Sequence, residues 1–297
     1  MATITQPRTQ TDTPAQVSSG SGLDATLRVV AYAVLVFVAL LMFVPFAFSV
    51  ATSLKTNQEA IRLSFSNMFW PSNPTFDAYR VAFEANVARW FFNSALVAAI
   101  WILGRALFDT MAGYAFARMQ FPGRNLVFLL VISTMMIPGI VTIIPKFILL
   151  QEFGLLNTYG ALTLPFLADA FGIFLMKQFF ESIPVELEEA ARIDGASRYR
   201  MFAQIILPNA MPAVTALAIF SFQGSWNAFL EPLIFISGSS PNLFTLPVGL
   251  ANFRQAYYTE WPTLMAMSVI TTVPLAVFFL IFQRYFVESS ASSGIKG

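Results

Sequence analysis

The chain contains no cysteine and no histidine. The first absence excludes disulfides and thiolate metal sites. The second removes the commonest general base and metal ligand of neutral pH. Charge is also scarce. Asp, Glu, Lys and Arg make up 11% of the 297 residues, against roughly 25% in soluble domains. The net charge of +1 offers no basic footprint for nucleic acid. No lysine follows a glycine, so the phosphate-cradling loop of ATPases is missing, and this chain is not expected to hydrolyse ATP by itself. These absences leave no expected catalytic residue, no metal site and no cofactor bound by the chain.

What is abundant is apolar. Hydrophobic residues make up 57% of the chain, with a mean hydropathy of +0.66. An ordinary globular enzyme is excluded, and an all-α integral membrane protein is indicated. A helical span needs about 20 residues to cross the hydrocarbon core. Six runs meet that length, at about 29–50, 90–114, 126–150, 159–180, 210–235 and 263–286. Residues 1–24, rich in Thr, Gln, Ser and Pro, are predicted to be disordered. A transmembrane bundle over 25–290 and a short tail at 287–297 complete the division. The rival reading of the first run is a cleaved signal, whose apolar core would be only about 7–15 residues with charges nearer the start. Residues 55–89 read as a polar loop, with Trp70 and Trp90 suited to an interfacial belt. Pro138, Gly139, Pro145, Pro165, Gly172, Gly224 and Pro274 predict kinks facing protein or a wet path.

Lys and Arg fix the expected orientation. With a cytoplasmic N-terminus, eleven basic residues lie inside and six outside. Both termini and the stretch 181–208 are then cytoplasmic.

That stretch, ESIPVELEEAARIDGASRYRMFAQIILP, is the longest polar interruption of the second half. It reads as two short helices joined at a glycine. Ser182 can cap the first, with Pro184 in its opening turn. Glu186, Glu188 and Glu189 come next, at the positive end of its dipole. Leu187, Ala190, Ala191 and Asp194 share one face by spacing. Gly195 supplies a turn of positive φ. Ser197 restarts a helix with Tyr199, Phe202 and Ile206 on one side.

The spelling is specific. Glu189-Ala190-Ala191, three residues, Gly195, nine residues, then Ile205-x-Leu207-Pro208 resembles the EAA loop of bacterial ABC-importer permeases. The segments SLKTNQEA, FFNSALVAA and WN-x-F-L-x-P-L, and the terminal Gly294-Ile295-Lys296-Gly297, resemble the sugar permeases of that superfamily, most of all the maltose-type branch. The resemblance implies a six-span permease with a cytoplasmic coupling helix between spans four and five. Glu188, Glu189, Ala190, Ala191, Asp194 and Gly195 would then meet the ATPase. The implied partners are a second, non-identical permease subunit, a cytoplasmic ATPase dimer holding ATP and Mg, an extracytoplasmic solute-binding protein, and a sugar moved by alternating access. Rival readings are another solute such as an amino acid or a phosphorylated polyol, a gradient-driven secondary transporter, and an intramembrane enzyme. The last would need a carboxylate pair in the spans.

Polar residues within the spans mark a pathway or internal glue. Asp169 in the fourth span is either an acceptor for a polyhydroxylated substrate or a pathway charge, or else a structural pair or a protonated acid. Gln223, Trp226 and Asn227 share a face at i, i+3, i+4, which suits either sugar recognition or interhelical bonding. Asn93 is a further candidate of this sort. Arg105 and Asp109, at i, i+4 near the cytoplasmic end of the second span, are expected to pair or snorkel.

Overall fold

The computed structural model describes residues 21–62, 64, 67–256 and 260–293. Among them helices supply all regular structure. The expected disordered region 1–24 lies outside the described residues up to residue 20, and a helix begins at Ser21. The terminal Gly294–Gly297 segment also lies outside them.

The chain forms two units, Met1–Ala47 and Phe48–Gly297. Most of α1 (Ser21–Ser53) makes up the described part of the first, a long apolar helix with Pro45 inside it. The second holds the bundle, in the order α2 (Asn57–Ile61), α3 (Asp77–Glu84), α4 (Val87–Arg118), α5 (Arg124–Thr134), α6 (Gly139–Glu152), α7 (Tyr159–Thr163), α8 (Ala170–Ser182), α9 (Glu186–Ile193), α10 (Arg198–Met201), α11 (Leu207–Asn209), α12 (Met211–Trp226), α13 (Leu230–Phe235), α14 (Leu246–Ala256) and α15 (Trp261–Ser293). Among the described residues four stretches are long and apolar enough to cross a bilayer: Ala25–Ser53, Val87–Arg118, Tyr159–Ser182 and Trp261–Gln283. Two bent pairs, Arg124–Thr134 with Gly139–Glu152 and Arg198–Asn209 with Met211–Trp226, raise the number to six if each is one span.

One expectation is corrected, and one expected kink is seen. The loop 55–89 carries α2 and α3, and the second span starts at Val87 rather than 90. The third expected span is broken by 101° at Pro138, whose ring cannot donate to a helical ladder and whose predecessor is pushed out of the helical region.

The spine of the bundle is α4, which packs chiefly against α8 and α12. Small residues permit this closeness. A Cβ at Gly104 would stand 2.6 Å from Leu167 Cδ2, and one at Gly113 2.7 Å from Met176 Cβ. The packing gathers two apolar clusters. Trp90, Trp101, Leu162, Phe166, Phe235 and Val248 form one toward the start of α4, and Tyr114, Met176, Phe180, Ile206 and Leu217 the other toward its end.

Candidate functional site

The polar stretch after α8 folds into two short helices, built differently at the start from the sequence expectation. Ser182 does not cap α9; its hydroxyl donates back to Phe179 O at 2.7 Å, inside α8. Ile183, held extended ahead of Pro184, ends α8, and α9 starts without a side-chain cap. Three carboxylates in its first turn serve the exposed N–H groups through the dipole instead. The end of α9 is well defined. Gly195 sits at φ +75°, Gly195 N–H donates to Arg192 O at 3.1 Å and Ala196 N–H to Ala191 O at 2.9 Å. These two bonds are the Schellman pattern, which needs a left-handed residue where the glycine stands. Ser197 then caps α10, accepting from Arg200 N–H at 3.3 Å.

The faces of α9 divide differently from the simple spacing. Glu188 and Ala191, three residues apart, turn inward and are each 5% exposed. Glu189, Ala190, Asp194 and Gly195 face outward, together with Val185, Leu187 and Ile193, the last 87% exposed. Ala191 therefore leaves the face it was expected to share with Leu187, Ala190 and Asp194. Beyond Met201 the chain makes a π turn, Phe202–Ile206. Its extra residue shifts the helical phase, so Tyr199 is exposed while Ile206 is buried, and the expected common side is lost.

Glu188 has a specific reason to point inward. Its Oε1 lies 3.2 Å from Arg118 Nε, both side chains under a tenth exposed. Arg118 also donates through Nη2 to Phe180 O at 2.6 Å and to Ile183 O. Tyr114 closes the space, edge-on to Phe180 at 5.8 Å and 5.0 Å from Phe202.

A second polar group lies deep in the bundle. α4 runs to Arg118, so Arg105 lies about 20 Å from the end of the helix at about 1.5 Å per residue, rather than near that end as expected. Nor do Arg105 and Asp109 pair with each other. Arg105 Nη1 lies 3.6 Å from Asp169 Oδ2, and its Nε donates to Phe166 O at 3.0 Å. Asp109, fully buried, accepts from Asp169 N–H at 2.9 Å, holding the entry to α8. Asp109 and Arg105 thus serve the break ahead of α8, where peptide groups need partners that lipid cannot give. The Arg105 guanidinium lies over Trp101 at 4.9 Å, and Trp101 stacks on Phe166 at 4.4 Å. The Lys146 ammonium covers Phe166 at 4.8 Å and pairs with Glu231 at 2.6 Å. Cations and carboxylates alternate around two stacked rings. Asp169 and Glu231 keep part of their surface open, at 36% and 22% exposure.

The remaining candidates separate. Asn93 is fully buried and its amide is spent: it donates to Asn242 O and Phe244 O, both at 2.8 Å, and accepts from Tyr159 OH at 2.6 Å. Trp226 turns into the core, donating to Thr271 O at 3.0 Å and stacking on Phe222 at 5.3 Å. Gln223 and Asn227 remain exposed on α12, joined by an Asn227 Nδ2 to Gln223 O bond of 2.9 Å. Sequence reasoning gave no role to Arg118, Glu231 or Phe166. Lys146 and Glu231 are 85 residues apart, beyond any local periodicity, but a lone cation and a lone anion in two separate apolar runs are a usable signal. No group of three or more Asp, Glu, His or Cys suited to a metal occurs among the described residues.

Comparison with known proteins gives a consistent result. The family profile described as "Binding-protein-dependent transport system inner membrane component" matches residues 109–290. The arabinooligosaccharides transport system permease protein AraQ of Halalkalibacterium halodurans is 37% identical over 263 residues, 88% of this chain and 94% of the relative. The diacetylchitobiose uptake system permease protein NgcG of Streptomyces coelicolor is 34% identical over 276 residues, 91% and 89% of the two chains. The lactose transport system permease protein LacG of Rhizobium radiobacter is 31% identical over 267 residues, 89% and 95%. Among solved structures, a bacterial ABC transporter involved in the import of the acidic polysaccharide alginate shares the fold, with a TM-score of 0.78 at 22% identity, covering 90% of this chain and 98% of the other.

Proposed function

The chain belongs to the family of binding-protein-dependent transport system inner membrane components, and from that premise we propose that it is a pore-forming subunit of an ATP-binding-cassette sugar importer. It is a multi-pass permease, and its curated relatives are named for oligosaccharide and disaccharide uptake. In this reading a separate cytoplasmic ATPase dimer supplies the energy, a second and non-identical permease completes the pore, and a solute-binding protein delivers the sugar outside. ATP and Mg belong to the ATPase. Both termini and the α9 loop lie in the cytoplasm.

The observation that carries the reading is the outward face of α9. Val185, Leu187 and Ile193 expose apolar surface on a helix that also exposes Glu189 and Asp194, on a segment whose end is fixed by Gly195. Clustered exposed apolar groups with a polar rim mark a protein contact. Closure of the ATPase around ATP would carry this helix as a body and swing the attached spans, so that the cavity alternates between the two sides. Glu188 and Ala191 support the helix from within, while Glu189, Ala190 and Asp194 make the contact.

Asp169, Gln223 and Asn227 are the groups we assign to the sugar path, with Asn93 and Trp226 holding the wall behind them. Each of Arg105, Lys146, Arg118 and Lys177 is matched by a carboxylate, which favours a neutral sugar over an acidic solute.

The test is purification from source membranes by a tag on this chain. An ATPase and a second permease should co-purify, and proteoliposomes with the binding protein should take up sugar only with ATP inside the ATPase compartment. Uptake by this chain alone on an ion gradient would replace the reading with a secondary transporter.

A further inference from the structure

Chain connectivity joins the α9 loop to α8 on one side and, through α10 and α11, to α12 on the other. Arg118 adds a third attachment. It is the last residue of α4, and one guanidinium reaches two carbonyls at the end of α8 and a carboxylate on α9. Those carbonyls belong to the C-terminal turn, where helical partners run out.

A buried ion pair is a poor source of stability, because desolvation offsets the attraction. An apolar pair of equal volume would hold these helices as well. What the charged pair supplies is register, since a forked donor accepts its partners in one arrangement only. The element held in register is the one that carries Trp101, Arg105 and Asp109 at membrane depth, where Asp109 and Arg105 hold the break in the fourth span.

We propose that Arg118 is a positioning residue that makes α4, alongside α8 and α12, a path by which displacement of α9 reaches the sugar-facing break at Asp169. This rests on the reading that α9 docks on an ATPase.

The experiment uses the assembly purified through a tag on this chain, reconstituted with the binding protein, and measures sugar imported per ATP hydrolysed. Glu188→Gln removes the charge at constant size. The double variant Arg118→Met with Glu188→Met removes both charges and keeps apolar volume, so it guards against simple misfolding of a broken pair. Arg80→Gln, on an exposed side chain far from the loop in sequence, is the control. We expect sugar per ATP to fall by at least roughly five-fold in both loop variants, the lower end of typical coupling between sites. Recovery of assembled complex and its melting temperature should stay near the parent in the double variant, while Glu188→Gln, which leaves the buried Arg118 charge unpaired, should melt lower; the control should keep the parent ratio. An unchanged ratio overturns the proposal, as does a ratio that falls only in step with lost assembly. A parent preparation that carries no ATPase overturns the docking reading itself, and this inference with it.

Discussion

At the scale of single residues, close contacts decide more than polar character does. Gly172 shows this. A Cβ there would run into the Asp109 carboxylate and stand 2.8 Å from Leu217 Cδ1. Gly172→Ala should therefore cost about 1–3 kcal/mol, the usual penalty for overfilling a packed site, and thermal melting in detergent would read it. Asn93→Ala should also lower the melting temperature, because it orphans buried groups worth about 1–3 kcal/mol each. It should leave the sugar concentration for half-maximal uptake unchanged, since Asn93 is bonded entirely within the protein. A changed half-saturation would return Asn93 to the pathway. The sequence singled out Asn93, Asp169 and Trp226 because polar and bifunctional groups are uncommon in apolar runs. It could not tell a satisfied amide from a free one, because the partners of Asn93 lie far away in the chain, as the Asn93–Phe244 separation of 151 illustrates.

At the scale of elements, the loop of α9 was legible in outline and wrong in detail. Gly195, Ser197 and the acidic first turn are local signals, and each does the local task its chemistry suggests. The facing of α9 was not legible, because it is set by Arg118 on a distant helix rather than by spacing within α9. Nor was the π turn, which no periodicity announces. The observed faces lead to two outcomes. Ile193→Cys, the sole thiol in a chain without cysteine, should react with a membrane-impermeant maleimide added from the cytoplasmic side, and ATPase assembly should protect it. Labelling only from the outside would reverse the proposed topology. Glu189→Lys should leave insertion and melting intact yet lower sugar-stimulated ATP hydrolysis about ten-fold, the size of loss common for a charge at an interface centre. Gly195→Ala should cost roughly 1 kcal/mol through its positive φ and weaken the same coupling.

At the scale of the whole molecule, composition and run length were enough for the class. A chain this apolar, with six runs of spanning length, reads as a helical membrane bundle from its letters. What length could not give was the path of each span. Residues 126–150 read as one crossing yet bend by 101°, because a proline and glycine in an apolar run mark a break without fixing its angle. The short helices α3 and α14 were likewise hidden inside segments too polar or too short to count as spans.

The 77° corner at Ala210 has a mechanical consequence. The arm before it, Arg198–Asn209, and the shaft after it, Met211–Trp226, meet nearly at right angles. Such a joint is a crank: a thrust delivered sideways to the arm emerges as rotation of the shaft about its own axis. In the proposed reading Gln223 and Asn227 then sweep round rather than travel up or down, and a modest turn presents them to a passing sugar or withdraws them.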